Sequence, residues 1–316
     1  MYPLNHRLPS HSDFANFLET YLPPRAGGSD VPFLYHTPRH PAYNPTRSLV
    51  SRIIFSITPT AGVYSALNRN VAQRAPVCFL HRPWALDRRS VRHGSLVLAS
   101  HQSFDAHLTV GWNVALARRL NANLTSAICV QGYKGDPDRK IGLVARLEQS
   151  RSLSSLHEMI LTEFDGVGEL FAPVPIEEGA ATDAQVDVLA IMNAFHAEEV
   201  ERVLVAAEGA GWIDKAADGC RVLYLTGAAR QYGLDAAAKV NMPTVCVGHR
   251  ACEEWGIRYL AQETRARWPE LEVVEILEEE EPPMPKASKK EQLETTDTAG
   301  VNGTGKNERS KTDSGG

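Results

Sequence analysis

Short apolar runs alternate with amphipathic stretches along most of this chain. The apolar runs, many of them rich in β-branched residues, predict strands over residues 49–57, 76–80, 95–100, 128–131, 141–147, 201–207, 221–225, 243–247 and 271–277. Between these runs, apolar positions at helical spacing predict helices over residues 60–73, 106–120, 152–164, 228–240 and 250–268. Strands that alternate with helices predict an α/β fold, here as two α/β lobes with mostly parallel strands.

Changes in composition divide the chain into four predicted segments. Residues 1–48 are rich in Pro and His and predict an irregular arm with one short amphipathic helix. Residues 49–150 predict the first α/β lobe and residues 151–281 the second. Residues 282–316 contain no Phe, Trp or Tyr, so this C-terminal tail cannot bury enough apolar area to offset its ordering entropy and is predicted to be disordered.

Charge and hydropathy exclude several classes of protein. The net charge is -5 and provides no basic face for general nucleic-acid binding. The mean hydropathy is -0.26 and no apolar run reaches the roughly 18 residues of a membrane span, so we expect no membrane insertion. The first residues lack the pattern of a secretory signal, and the five cysteines form no CxxC pair. We predict a cytoplasmic protein, with a nuclear or mitochondrial pool left open.

Polar residues suited to chemistry directly follow four of the predicted strands. They are His81, His101 with Asp105, Thr226 with Gly227, and His249 with Glu253. Ligands of open α/β sheets bind outside the carboxyl ends of strands, where these residues are expected to lie. Imidazole nitrogen and carboxylate oxygen both bind divalent cations. His249 and Glu253 are four residues apart in a predicted helix, so their side chains share one face.

Each of these residues also has an ordinary structural explanation. A histidine after a strand is more often a hydrogen-bonded structural residue than a ligand. A His/Glu pair at this spacing is usually a surface pair, which supports the helix by about 0.3 kcal/mol. The residues by themselves therefore leave both a shared metal site and four separate structural roles open.

Several motifs occur in an order that is typical of one known family. The segment Gly248-His249-Arg250-Ala251-Cys252-Glu253 is similar to the pattern GH-x-x-[ST]-E and follows a predicted strand. The other similar segments are His81-Arg82-Pro83 (HHP), Ser100 to Asp105 (HTxxD), Gly111 to Ala117 (GGVND-x-LA), Gly209-Ala210-Gly211 (GSG) and Leu223 to Gly227 (a strand ending in TG). Over roughly residues 49–277 the chain resembles the NIF-three-like family, also labelled GTP cyclohydrolase 1 type 2 homologues.

This resemblance implies an architecture and a set of metal ligands. Members are α/β proteins with a two-metal site, and they often assemble as dimers or as toroidal hexamers. Carried over position by position, the family's ligands fall on His81, Asp105, His249 and Glu253, whereas His101 matches a histidine that lines the site. The resemblance thus implies a divalent-metal cofactor of the Zn, Mn, Fe or Mg class and a homo-oligomer.

The chain departs from the family pattern at the site itself. Arg82 replaces the second histidine of HHP, and a guanidinium that is always protonated cannot bind a cation. After Thr226 and Gly227, where many members carry an acidic residue, this chain continues Ala-Ala-Arg, and Cys252 stands where members carry Ser or Thr. We expect one ion rather than two, with Arg82 placed to bind a phosphate or carboxylate group.

Two functional interpretations follow from these observations. In the first, the protein is a diverged metal-binding member with a hydrolase-like site between the lobes, where Glu253 or His101 handles the proton. Arg82, Thr226 and Gly227 then contact a small anionic ligand. In the alternative, it is a non-catalytic binding or regulatory protein with an eroded metal site. The GTP cyclohydrolase label is a family name only, because no residue identified here recognises a guanine.

Overall fold

Two β-sheets with helices packed on their faces make up the computed structural model. It describes residues 8–24, 30–69, 74–172, 184–214 and 216–279. The strands are β1 (Leu34–His36), β2 (Arg52–Ser56), β3 (Val77–Leu80), β4 (Leu96–Ala99), β5 (Ile128–Tyr133), β6 (Asp136–Ser152), β7 (Glu169–Phe171), β8 (Gln185–Met192), β9 (Val222–Thr226), β10 (Thr244–Cys246) and β11 (Glu272–Ile276). The helices are α1 (His11–Tyr21), α2 (Ala61–Asn68), α3 (Gln102–Leu108), α4 (Val114–Arg119), α5 (Leu153–Glu163), α6 (Ala197–Gly209), α7 (Gln231–Lys239) and α8 (His249–Arg267).

The first sheet has the strand order β1-β4-β3-β2-β11, and the second has the order β5-β6-β8-β9-β10-β7. Strands β4, β3, β2 and β11 run parallel, with β1 antiparallel at the edge. In the second sheet β8, β9 and β10 run parallel, and β5, β6 and β7 pair antiparallel around them. The predicted α/β fold is confirmed, with two sheets: β8, β9 and β10 lie inside the second sheet, whereas the parallel strands of the first sheet include its edge strand β11.

The sheets do not follow the predicted division of the chain at residue 150. Strand β5 precedes that residue and β6 runs across it, yet both lie in the second sheet, and β11, the last of the described strands, pairs with β2 in the first. The predicted arm is more regular than expected, because it supplies helix α1 and the edge strand β1. The predicted tail (282–316) and the last part of the helix predicted to reach residue 73 lie outside the described residues.

The strand predicted over residues 201–207 is wrong, because this segment lies in helix α6. The β-branched residues suggested a strand, but the buried positions Glu199, Val200, Val203, Leu204 and Ala207 follow helical spacing. The strand of this unit is β8, seven of whose eight residues are buried. The Gly-Ala-Gly loop ends the helix: Gly211 has φ 68°, its N–H donates to Glu208 O, and the Trp212 N–H donates to Ala207 O. Such bonds are a helix stop and leave these N–H groups unavailable to a phosphate.

The helix predicted over residues 106–120 is two helices, α3 and α4. Asn113 separates them, since its side chain caps α4 by accepting from the Leu116 N–H at 2.9 Å and donates to Thr109 O at 2.9 Å. Helix α3 also begins earlier than predicted, immediately after His101. Because of this break, α3 packs in the hydrophobic core between α8 and the first sheet, and α4 packs in a hydrophobic core of the second sheet.

Helix α8 contributes to a hydrophobic core of each sheet, and this packing fixes the position of its first turn. Cys252 and Trp255 belong to the core of the second sheet, whereas Ile257 and Leu260 belong to the core of the first. Helix α3 approaches it closely at Gly256, where an added Cβ would lie 2.5 Å from Phe104 Cζ and 2.6 Å from Leu108 O. Only glycine permits this approach, which brings the first turn of α8 next to α3 and the end of β3.

Of the helices in the described part of the chain, none combines the length and apolar composition that a bilayer span requires.

Candidate metal centre

His81 follows strand β3 directly and is completely buried. Its Nδ1 lies 3.1 Å from Ser100 O, and its ring stacks on Phe104 with centroids 4.4 Å apart. A carbonyl oxygen only accepts hydrogen bonds, so Nδ1 carries a proton and donates it. This bond fixes the orientation of the imidazole and directs Nε2 away from β4, as is usual for metal-binding histidines.

The Nε2 atom of His81 faces two carboxylates. It lies 3.4 Å from Asp105 Oδ1 and 3.2 Å from Glu253 Oε1. Among the described residues, both His81 Nε2 and Glu253 Oε1 are shielded from solvent and lack a hydrogen bond of good geometry. Burial lowers the pKa of His81, but the two carboxylates outweigh this effect and raise the pKa to about 9. The buried Nε2 atom and the two carboxylate oxygens therefore favour a cation between them.

Glu253 contacts three residues of the site, His81, Arg82 and His249. Its Oε1 also lies 3.3 Å from His249 Nε2, and its Oε2 accepts from Arg82 Nη2 at 3.1 Å. Burial raises the pKa of Glu253, but His249, His81 and Arg82 together hold it well below its usual range. His249 starts helix α8 with a 73% exposed side chain, and its contact with Glu253 raises its pKa. Pairwise contacts thus connect the four side chains that the resemblance implied as ligands, His81 with Asp105 and Glu253, and Glu253 with His249.

His101 comes closer to these groups than a residue that merely lines the site. His81, His101 and Asp105 each offer a ligand atom, and these atoms all lie within 4.8 Å of one another. His101 Nε2 is 3.9 Å from Asp105 Oδ2, and its ring centroid is 4.8 Å from that of His81. Burial lowers the pKa of His101, so its imidazole is neutral at neutral pH. The exposed ring of Trp84 packs edge-on against it at 4.8 Å.

Asp30, in the N-terminal arm, positions the helix that carries Asp105. Its Oδ1 accepts from the His101 and Gln102 N–H groups at 3.1 and 3.0 Å, and its Oδ2 accepts from the Ser103 N–H at 3.2 Å. These are the orphan donors at the start of helix α3. The sequence analysis missed this residue, since 71 residues separate it from His101. The sequence does contain one indication of such a residue. Histidine is a poor N-cap, so helix α3 needs a hydrogen-bond acceptor from another part of the chain.

A cavity of about 410 Å³ adjoins the cluster. Asp105 and His249 line it, and so do Thr226 and Gly227, the two residues predicted to bind a ligand. Arg82 is not among the described residues that line this cavity, because its side chain lies against Glu253 instead. The structure therefore separates Arg82 from the other two predicted ligand-binding residues.

Cys252 is a structural residue of this site. Its thiol is almost completely buried, donates to Gly248 O at 3.1 Å, and lies beside Gly227, where an added Cβ would be 3.3 Å from the sulfur. Burial raises the pKa of the thiol, so it is protonated and a poor nucleophile at neutral pH. A small side chain is needed here, in agreement with its expected role as a substitute for Ser or Thr.

The metal-free protein is expected to lose stability as the pH rises from about 6.5 to about 9. His81 has a pKa of about 9 in the folded chain, against about 6.5 when unfolded. Its contribution is therefore complete below pH 6.5 and is lost as the pH rises through the folded value. Urea midpoints of chelator-stripped protein across this range measure the effect. His81→Gln is the comparison variant, and an equal pH slope in both proteins would contradict the assignment.

Comparison with known proteins identifies a family. Residues 85–282, more than half of the chain, match the sequence profile of Duf34/NIF3 (NGG1p interacting factor 3). A search of curated proteins returned no significant match.

Solved structures show the same fold at low sequence identity. The protein ybgI, described as of unknown function, has a TM-score of 0.53 and 16% identity over 84% of this chain and 97% of its own. Reduced HcgD from Methanocaldococcus jannaschii has a TM-score of 0.53 and 14% identity over 84% and 97%. A Bacillus cereus protein related to NIF3 has a TM-score of 0.50 and 12% identity over 88% and 100%. On the profile match over residues 85–282, which includes Asp105, His249 and Glu253, this chain belongs to the Duf34/NIF3 family.

Proposed function

We propose that this protein binds a single divalent metal ion through His81, Asp105, His249 and Glu253, with His101 beside them, and that the ion serves a hydrolase-like site. The observation that carries this proposal is the buried Nε2 of His81, which lies 3.2 Å and 3.4 Å from two carboxylate oxygens. In a neutral imidazole with its proton on Nδ1, this atom is an acceptor that faces two other acceptors. Either a proton or a metal ion must lie among them.

The types of donor atom agree with a metal of the Zn, Mn, Fe or Mg class. Imidazole nitrogens favour Zn and Fe, whereas the carboxylates also suit Mn and Mg. His81 has the carbonyl partner on its second nitrogen that supports metal-binding histidines, and helix α3, which carries Asp105, is held by Asp30. These contacts hold His81 and Asp105 in place before any ion binds, so that less conformational entropy is lost when the ion binds.

Arg82 supports one ion rather than two. Its guanidinium lies 3.1 Å from Glu253 Oε2, so a cation already occupies the second oxygen of this carboxylate. By the family resemblance, the position of Arg82 is that of a metal-binding histidine. A fixed positive charge there repels a second ion and replaces part of its charge.

The two candidate proton carriers differ in their surroundings. Both oxygens of Glu253 contact cationic or imidazole groups, which hold its pKa low and make it a weak base. His101 is partly exposed, with a side chain 32% accessible, and is neutral at neutral pH. When bound, the ion would supply Lewis acidity that generates a nucleophile from water near pH 7. His101 is therefore the better candidate for accepting the proton.

One observation favours the second function, a non-catalytic binding or regulatory protein. The Arg82–Glu253 pair satisfies in part the charge that a metal would otherwise neutralise. Under this alternative the site is an ion-pair cluster that stabilises the contact between helix α8 and the end of β3. Assembly into a homo-oligomer, as a dimer or hexamer, and a cytoplasmic location remain proposals that rest on the family resemblance and on composition.

Counting bound metal distinguishes these functions. Protein stripped with chelator and dialysed is reconstituted separately with Zn, Mn, Fe and Mg, and the metal is measured per chain together with the melting temperature. We expect one ion per chain and a higher melting temperature for at least one metal. Two ions per chain would contradict the role of Arg82, and no binding of any metal would favour the alternative. Arg82→His, which restores the HHP motif, is expected to raise the count to two.

A further inference from the structure

We infer that the cavity beside the metal centre binds a small molecule by a doubly charged oxyanion group, a phosphate or a dicarboxylate, held between Lys134 and Arg230. The inference deepens the proposed function and rests on it for the ligand's orientation, with the reacting part toward Asp105 and His249. Lys134 and Arg230 together are called the anion clamp below. Their role depends on the charges of this chain and does not require a bound metal.

Lys134 and Arg230 reach the same cavity from different loops. Lys134 comes from the turn between β5 and β6, and Arg230 from the loop between β9 and α7, yet both line the 410 Å³ cavity. A second cavity of about 830 Å³ adjoins the first, and Lys134 and Tyr232 line both of them. Asp105 and His249 line only the smaller one. Lys134 therefore lies at the junction of the two cavities, while two of the proposed metal ligands, Asp105 and His249, line the smaller one.

The charges that line the smaller cavity do not balance. Among the described residues, neither Lys134 nor Arg230 forms an ion pair with a carboxylate; the Lys134 ammonium lies 5.1 Å from the centroid of the Tyr133 ring. Asp105, which belongs to the metal centre, is the one carboxylate among the described residues that line the smaller cavity. Outside the metal centre this cavity thus has an excess of positive charge, which attracts anions and raises their local concentration.

Three helices begin at the wall of the smaller cavity. Helices α6, α7 and α8 begin at or next to His196, Arg230 and His249, and all three residues line the cavity. Among the described residues, no side chain caps the start of any of the three. Their first N–H groups carry partial positive charge and suit an anionic group. The ends of the parallel strands β8, β9 and β10 precede these helices, where ligands of α/β sheets bind.

The size of the cavity sets the class of ligand. A volume of about 410 Å³ is that of a typical small-molecule site, and polar groups of Asn193, Thr226 and Tyr232 lie along its wall. The observations together point to an anionic small molecule rather than a cation or an apolar ligand.

Titration of metal-stripped, dialysed full-length protein with simple anions tests this inference. The probes are inorganic phosphate, pyrophosphate and malonate, measured by calorimetry and by the shift in melting temperature. We expect saturable binding of at least one probe. Lys134→Gln and Arg230→Gln should each weaken it about tenfold, because each removes a charge-assisted hydrogen bond. Lys239→Gln, at the exposed end of helix α7, is the matched control and should bind as the unmodified protein does.

The outcomes separate this inference from the proposed function. Preference for phosphate or pyrophosphate over malonate assigns a phosphate group, and the reverse assigns a dicarboxylate. Failure of all three probes to bind, or binding that both cavity variants leave unchanged, would overturn the clamp, even if the protein binds one metal ion. Anion binding that depends on Lys134 and Arg230 in a protein that binds no metal would leave the clamp standing and overturn the proposed metal function.

Discussion

Glu253→Gln is expected to weaken metal binding by about 100-fold or more and to lower the stability of the metal-free protein by about 3 kcal/mol. The substitution keeps the size of the side chain and removes its charge. The glutamate is 1% exposed and contacts His81, His249 and Arg82 within 3.3 Å, so its loss leaves a buried imidazole and a guanidinium without their shared counter-charge. Metal titration by calorimetry and urea unfolding without metal measure the two effects.

Two comparison variants separate the loss of metal from the loss of stability. Glu254→Gln makes the same chemical change one residue later in helix α8, where the carboxylate pairs with Arg250 and Arg258 outside the site. It should leave metal binding unchanged. His249→Gln removes a ligand that is 73% exposed, so it should weaken metal binding while changing the stability by no more than about 0.5 kcal/mol. Equal metal affinity in Glu253→Gln and Glu254→Gln would remove Glu253 from the ligand set.

Phe104→Ala is expected to destabilise the protein by about 3–5 kcal/mol, because it leaves a large cavity between helix α3, helix α8 and the first sheet. Phe104 is completely buried, stacks on Phe79 at 5.9 Å and on His81 at 4.4 Å, and lies against Gly256. For a folded part of this size, the melting temperature should fall by roughly 10 °C. The metal affinity should also fall about tenfold, since the ring holds the plane of the His81 imidazole.

Phe164→Ala is the matched control for this prediction. Phe164 is equally well buried, at 1% exposure, but belongs to the core of the second sheet and does not contact the metal cluster. This substitution should lower the free energy of unfolding by a similar amount. It should leave the metal affinity unchanged when binding is measured well below the melting temperature. A Phe104→Ala protein that binds metal as tightly as the Phe164→Ala protein would show that this ring has no role in positioning His81.

Most of the individual elements could be predicted because their signals are local. Strands β2, β3, β4, β9 and β10 are short apolar runs bounded by polar or turn residues, and the structure has each close to its predicted bounds. The strand prediction for residues 201–207 failed because the valines favour a strand locally, whereas packing on the face of the second sheet opposite helix α4 selected a helix. Local propensity is a weak guide wherever burial on one helical face decides the conformation.

The order of strands could not be read from the chain. Strand β11 pairs with β2, 220 residues earlier, along a register that joins Glu272 to Arg52 and Ile276 to Ser56. Arg52 Nε lies 2.8 Å from Glu272 Oε2 across this pairing, but two charges so far apart in the chain do not identify each other in the sequence. Helix α8 determines which strands pair. It begins beside the second sheet and packs on the core of the first sheet, so the strand that follows it, β11, lies next to the edge of β2.

The fold class, the residue types of the site and their positions after strands can be read from the sequence, because they depend on periodicity and on short motifs. The pairing of His249 with Glu253, four residues apart in one helix, is local in the same way. The contacts of His81 with Asp105 and Glu253, the position of Arg82 against Glu253, and the placement of Lys134 and Arg230 around one cavity depend on the tertiary structure. Asp30 lies 71 residues before His101, and Arg82 lies 171 residues before Glu253. Such contacts arise from the packing of whole elements, and no short stretch of sequence encodes them.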